Sequence, residues 1–238
     1  MEKYKIQRLL GLFCFTLGLL LSLVLIAAPA WADLEASYYG FDRFFAEDLK
    51  TLHCPVLLER GETGSMWVKL SNETDREVKQ IVLVRLSGPV TLFQAKQTFP
   101  LAPGETQRTA WTISADNIDL GNFVFAHVVT YPVYMTPMRE KMCGVFVVDL
   151  PGLTGPQIFY GMLGLAILAL GFGLWLWDTS RIPEISRLPQ VRMAMRFLVL
   201  AVLAGLLASA LSLWMAGVVA LVVILLTMTT VLYMVTTG

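Results

Sequence analysis

Residues 197–238 read FLVLAVLAGLLASALSLWMAGVVALVVILLTMTTVLYMVTTG, with no Asp, Glu, Lys, Arg or His. A helix needs about 20 apolar residues to cross the roughly 30 Å hydrocarbon core of a bilayer, and this run holds about twice that. As one straight helix it would be about 60 Å long at 1.5 Å per residue. The run therefore predicts a hairpin of two membrane spans, residues 197–214 and 217–236, bent at Trp214-Met215-Ala216-Gly217.

The bulk composition agrees. The chain has 238 residues, 56% hydrophobic and 15% charged, with a mean hydropathy of +0.64. Soluble domains carry about a quarter charged residues. The formal net charge is +0 and the Lys and Arg residues are scattered, which argues against a nucleic-acid partner. The expected partners are the lipid bilayer and other membrane-protein subunits.

Working outward, residues 178–196 hold Arg181, Arg187, Arg192 and Arg196 against Asp178 and Glu184. Short basic loops stay on the cytoplasmic side. Before that loop, residues 156–177 form another uncharged span, with Trp175 and Trp177 at its far end, where such rings favour the headgroup layer. At the other end of the chain, Lys3, Lys5 and Arg8 precede an apolar stretch that closes on Ala30-Trp31-Ala32. Residues 1–32 thus read as a signal peptide cleaved after Ala32, or as an uncleaved signal-anchor helix, since the apolar stretch exceeds the usual 7–15 residues. Both readings give one orientation. Residue 33 onward is exported, and Gly238 ends at the cytoplasmic face of a plasma or inner membrane as a multi-pass protein.

Small residues mark helix faces able to approach closely: Ala169 and Gly173 on one span, and Ala201, Gly205 and Ser209 on the next. They serve either the packing of the protein's own spans or docking onto helices of a larger complex. The spans hold no ionisable residue. Transport paths and proton relays normally need one, so a pump or ion-coupled transporter is disfavoured.

Residues 52–152 change character. Short β-rich runs at 53–58, 65–70, 79–86, 90–94, 106–113, 123–131 and 145–150 are separated by turn residues. Met66, Val68 and Leu70 alternate with Trp67, Lys69 and Ser71, the period-2 pattern of a strand. About seven strands at this spacing predict an antiparallel two-sheet sandwich. The expected fold class is therefore a membrane α-helical bundle plus an all-β exported domain. Asn72 after a β run, and Leu101-Ala102-Pro103-Gly104-Glu105 leading into Thr109-Ala110-Trp111-Thr112-Ile113, resemble the immunoglobulin-like modules of exported bacterial surface proteins. That resemblance implies a binding or spacer module.

Cys54 and Cys143 both lie in this exported region, whereas Cys14 is inside the first apolar run. Exported thiols oxidise, so one Cys54–Cys143 disulfide is expected, with two free thiols holding a metal as the alternative. Residues 33–51 form an aromatic lead-in: Tyr38, Tyr39, Phe41, Phe44 and Phe45. They either pack on the sandwich or lie at the lipid interface, or else form a docking peptide for a partner.

Catalytic constellations are thin. The two histidines, His53 and His127, sit in no HExxH or nucleophile-elbow context. His127 alternates with Phe125 and Val129 and reads as a face or core histidine. Met135, Met138 and Met142 run up to Cys143, and with His127 they are a conceivable copper set, because Cu(I) favours soft sulfur. Core filling is the plainer role for those methionines. Asn72-Glu73-Thr74 matches the N-glycosylation acceptor pattern. The expectation is a non-enzymatic protein without a cofactor, acting as an accessory, assembly or interaction subunit of a membrane complex. The alternative is a membrane-tethered module that binds copper or a small ligand.

Overall fold

The computed structural model describes residues 2–44, 46–89, 92–133, 137–179 and 188–236. These residues form helices α1 (Glu2–Tyr38), α2 (Gly155–Thr179), α3 (Leu188–Ala210) and α4 (Trp214–Thr236), together with ten β-strands. The chain divides into two compact units, residues 1–30 with 159–238, and residues 31–158.

Each of the four helices contains a stretch long and apolar enough to cross a membrane. Within the helical unit α1 packs closely on α2. A Cβ on Gly18 would fall 2.7 Å from the Leu170 nitrogen, and one on Gly173 would fall 2.5 Å from the Phe15 nitrogen. Further along α1, Ile26 is fully buried and lies against the positions where Gly205 and Gly217 would carry side chains. Ser209 is also buried, and its hydroxyl donates to the Leu25 carbonyl oxygen. Glycine at Gly173 and Gly205 is thus required by neighbouring helices of this chain. Ala169 is half-exposed, and Ala166 takes the buried place on α2.

Three helix boundaries differ from expectation. The hairpin bends at residues 211–213 instead of 214–217. Leu213 N–H bonds to Ala208 O, Ser212 N–H bonds to Ser209 O, and Ser212 sits at φ 54°. This is the Schellman ending of a helix, with Ser in the left-handed position that glycine usually takes. Gly217 instead lies inside α4, where a Cβ would stand at ordinary contact distance, 3.7 Å, from Ile26. Helix α3 begins at Leu188, within the expected loop, because Pro189 is tolerated in a first turn and Met, Ala and Arg favour helix. Helix α1 runs through Ala30-Trp31-Ala32 to Tyr38, so the lead-in opens as helix; Leu34, Glu35 and Ala36 are good helix formers.

The second unit has two sheets. The larger has the order β1 (Glu47–Asp48), β10 (Arg139–Val148), β9 (Phe123–Pro132), β5 (Val78–Leu86), β6 (Phe93–Leu101). The short strands β3 (Leu57–Glu59) and β8 (Ile118–Asp119) pair with β10 and β9 respectively. The smaller sheet is β2 (Leu52–His53), β4 (Gly64–Ser71), β7 (Thr106–Ile113). One core joins them: Met66, Val68 and Leu70 of β4 and Trp111 and Ile113 of β7 pack with Val82, Val84, Val124, Val128 and Val145 of the larger sheet. The Cys54–Cys143 disulfide links the end of β2 to β10 across that core.

The strands depart from expectation in three ways. The run 53–58 splits at Cys54-Pro55, because Pro55 has no N–H for the ladder; the chain leaves β4 and rejoins beside β10 as β3. Strands β1 and β3 run parallel to β10, so the sheets are not wholly antiparallel. The expected strand at 90–94 lies instead at Phe93–Leu101. It is an edge strand, open on both faces and rich in Gln, Lys and Thr, and it carries no alternation to read.

Asn72 closes one end. Its buried side chain donates to the carbonyls of Arg76, Leu101 and Ala102 and accepts from Thr74. The backbone of Asn72 also pairs with Gly104 and Glu105. Gly104 adopts φ 70° in that turn, a conformation other residues rarely hold.

Candidate functional site

The outer face of the larger sheet is where polar chemistry and aromatic side chains meet. Strand period places Phe125, His127 and Val129 on this face, and register sets Met142 of β10 and Arg85 of β5 directly opposite His127. Two pieces of chain cover it. The first is the end of α1. Ala36 is fully buried against Phe41 and Phe125, the Asp33 carboxylate accepts from Gly144 N–H at 2.9 Å, and the Ala32 carbonyl occupies the space a Gly144 Cβ would need.

The second is a strap, residues 39–44, tied down at its far end by β1. Tyr39 donates its hydroxyl to Asp119 and packs its ring 4.6 Å from Phe125. Burial first, and the Asp119 carboxylate next, push its phenol up to about 12. Phe41 lies 5.5 Å from the His127 ring. Phe44 stacks over the same ring at 6.3 Å. Beyond it, Glu47 N–H bonds to Met138 O and Leu49 N–H to Glu140 O.

His127 is completely buried. Its Nε2 lies 3.0 Å from Glu140 Oε2, and that same oxygen accepts the Phe44 N–H at 3.1 Å. The carboxylate is acceptor-only when ionised, so Nε2 carries the proton and Nδ1 presents a bare lone pair. Among the described residues Nδ1 has no hydrogen-bond partner. Arg85 pairs with Asp42 of the strap at 3.2 Å and sits over the Phe44 ring. Burial pushes the His127 imidazole below its ordinary value, and Glu140 opposes that shift.

The residues singled out in the sequence fall into distinct places. Met142 and His127 share one face, while Met138 stands just before β10, four residues from Met142. Met135 and Phe45 lie outside the described residues. No group of three or more His, Cys, Asp or Glu able to hold a metal occurs among the described residues. Tyr39 and Phe41 are taken up by the sheet, and Tyr38 remains 79% exposed. His53 stacks on Trp67, which Arg108 covers at 3.8 Å, on the outer face of the smaller sheet. An open cavity of about 180 Å³ beside Asn72, Lys69, Tyr131 and Arg139 is smaller than the 300–1,000 Å³ of ordinary ligand pockets.

Sequence reasoning missed Glu140, Asp42 and Arg85. They come from three separate stretches: register sets Arg85 opposite His127, Glu140 reaches the ring from a neighbouring position of β10, and the strap brings Asp42 to Arg85.

No protein-family model matches the sequence, and no curated protein matches it. Partial likenesses to solved structures exist. A β-glucuronidase of Bacteroides uniformis is 14% identical over 40% of this chain and 12% of that one, with a TM-score of 0.32. A cycloisomaltooligosaccharide glucanotransferase of a Paenibacillus species is 13% identical over 44% and 14%, with a TM-score of 0.35. A CARDB domain from Pyrococcus furiosus, solved with di-metal ions, is 17% identical over 46% of this chain and all of that one, with a TM-score of 0.34. This chain thus spans about an eighth of the two enzymes' length. At such scores these likenesses carry no argument about activity.

Proposed function

We propose that this chain is an integral membrane protein in which four spans, α1 among them, anchor one exported immunoglobulin-like β-sandwich. It serves as a non-catalytic accessory or assembly subunit of a larger membrane complex. The observation that carries the reading is the use made of the buried polar side chains. Ser22, Asn72, Ser87, Thr130 and Ser209 each bond to the chain's own backbone, and His127 bonds to Glu140. Their polarity is spent on holding the fold, which suits a scaffold better than a reaction centre.

The sandwich reading is supported by the order of the sheets, with β1 and β3 beside the last strand and β2-β4-β7 opposite. Sidedness is supported by charge: Lys3, Lys5 and Arg8 at the start of α1, and Arg181 and Arg187 between α2 and α3 with Arg192 and Arg196 in the first turns of α3, favour a cytoplasmic place for those segments. Retention of α1 is favoured by its buried Leu25 and Ile26 in the helical unit and its buried Ala32 and Ala36 in the sheet unit.

The test is extraction in mild detergent followed by cross-linking and intact mass. A stoichiometric membrane-protein partner and an N-terminus upstream of Ala32 are expected. A protein that runs alone defeats the subunit reading, and a mature chain beginning at Asp33 defeats the four-span anchor.

A further inference from the structure

We propose that residues 39–44 are a proton-released cover: taking up a proton at His127 Nδ1 frees this strap from the outer face of the larger sheet. The inference stands on how the strap is held. Three of its attachments converge on one imidazole, while Tyr39 is held separately by Asp119. Phe41 and Phe44 close over the ring, Phe44 N–H shares Glu140 Oε2 with Nε2, and Asp42 is tied to Arg85, the register neighbour of His127.

In the closed state Nδ1 is buried without a partner. A proton placed there creates a buried N–H donor with no acceptor among the described residues, next to an apolar cover, and such a group is costly. Once the strap lifts, water meets both ring nitrogens and the charged form is free to exist. The charged groups facing the ring are Glu140 from β10, Asp42 from the strap and Arg85 from β5. Glu140 and Asp42 favour the imidazolium, whereas Arg85 and burial oppose it, and burial is the largest influence. The covered ring therefore holds its proton less firmly than the open one. Closure is fullest above the ordinary imidazole value of about 6.5 and weakens progressively as the pH falls below it toward the lowered value of the covered ring. Release uncovers the aromatic face of Phe125 that Tyr39 covers.

Hydrogen exchange on the full chain in detergent, at about pH 8 and about pH 5 and corrected for intrinsic rates, reads the cover directly. Exchange at Phe44 and its neighbours is expected to rise about tenfold at the lower pH. The ceiling is about thirty-fold, for a group titrating near 6.5 only when open. Core amides of Val124 to Val128 stay protected. His127→Gln, which can still donate to Glu140 and cannot titrate, abolishes the rise. Unchanged strap exchange overturns the proposal, as does a rise shared with the core or one that persists in H127Q. If H127Q fails to fold, the onset in the unmodified protein decides: a rise that sets in near 6.5 supports the cover, and one that sets in only near the carboxylate value of about 4 overturns it.

Discussion

The Ser209 hydroxyl of α3 lies 2.8 Å from the carbonyl oxygen of Leu25 on α1, the carbonyl that Pro29 leaves without a helical donor. Proline at position i removes the N–H that would bond to residue i−4, and Pro29 stands inside α1. In an apolar bundle that oxygen needs a partner, and a neighbouring helix supplies one. Ser209→Ala is expected to cost about 1 kcal/mol, in line with interhelical hydrogen bonds in membranes. In a Pro29→Ala background the N–H returns and the same change costs close to nothing. A double-mutant cycle read by unfolding in detergent checks this, and equal costs in both backgrounds would refute the coupling.

Ser212→Gly is expected to stabilise the α3–α4 hairpin. Its left-handed backbone costs a non-glycine residue about 1 kcal/mol, and glycine removes that cost. Thermal unfolding in detergent should shift upward. Gly173→Ser, made as a contrast inside α2, should shift it downward, because its Cβ would fall 2.5 Å from the Phe15 nitrogen.

Gly144→Ala brings a methyl group onto the Ala32 carbonyl, which cannot rotate away. A loss of about 3 kcal/mol is expected, at the upper end of overpacking. Ala32→Gly does not rescue it, since the clash is with backbone. Melting temperatures of the three variants decide the matter; rescue by A32G would show that side-chain crowding is responsible.

Asn72→Ala leaves the carbonyls of Leu101 and Ala102 short of a donor and should cost about 2–3 kcal/mol. Denaturant unfolding of N72A against the parent protein reads this, and an unchanged midpoint would refute it.

How far these features can be read from sequence depends on how local their cause is. Met66, Val68 and Leu70 alternate in the chain as they do in the sheet, because a strand facing one core imposes period 2 on itself. The absence of charge from 197 onward likewise marks a bilayer-crossing pair without reference to any other segment. The turn between them was harder to place. Gly217 advertises flexibility, yet the bend is made by hydrogen bonds from Ser212 and Leu213 to the last turn of α3, and nothing about a serine announces a left-handed backbone. The cover over His127 was less legible still. The histidine reads correctly as a face residue, but its Glu140, Arg85 and Phe44 neighbours come from three separate stretches, and no spacing rule states which side chains a register will place together. Ser209 shows the same gap: smallness was visible, while its acceptor depended on a proline 180 residues earlier in the chain.

The pairing of Asp33 with Gly144, 111 residues apart, has a consequence for biogenesis. The first segment of the sheet unit waits for the last strand: β1, β3 and the end of α1 all complete their contacts on β10. At synthesis rates of 5–20 residues per second, residues 33–44 emerge roughly 5–20 s before β10 exists. Throughout that interval Phe41 and Phe44 lack the strand that completes their seat. Closure of this face is then a late event, and the order of the strands acts as a timer that holds it off until the final strand arrives.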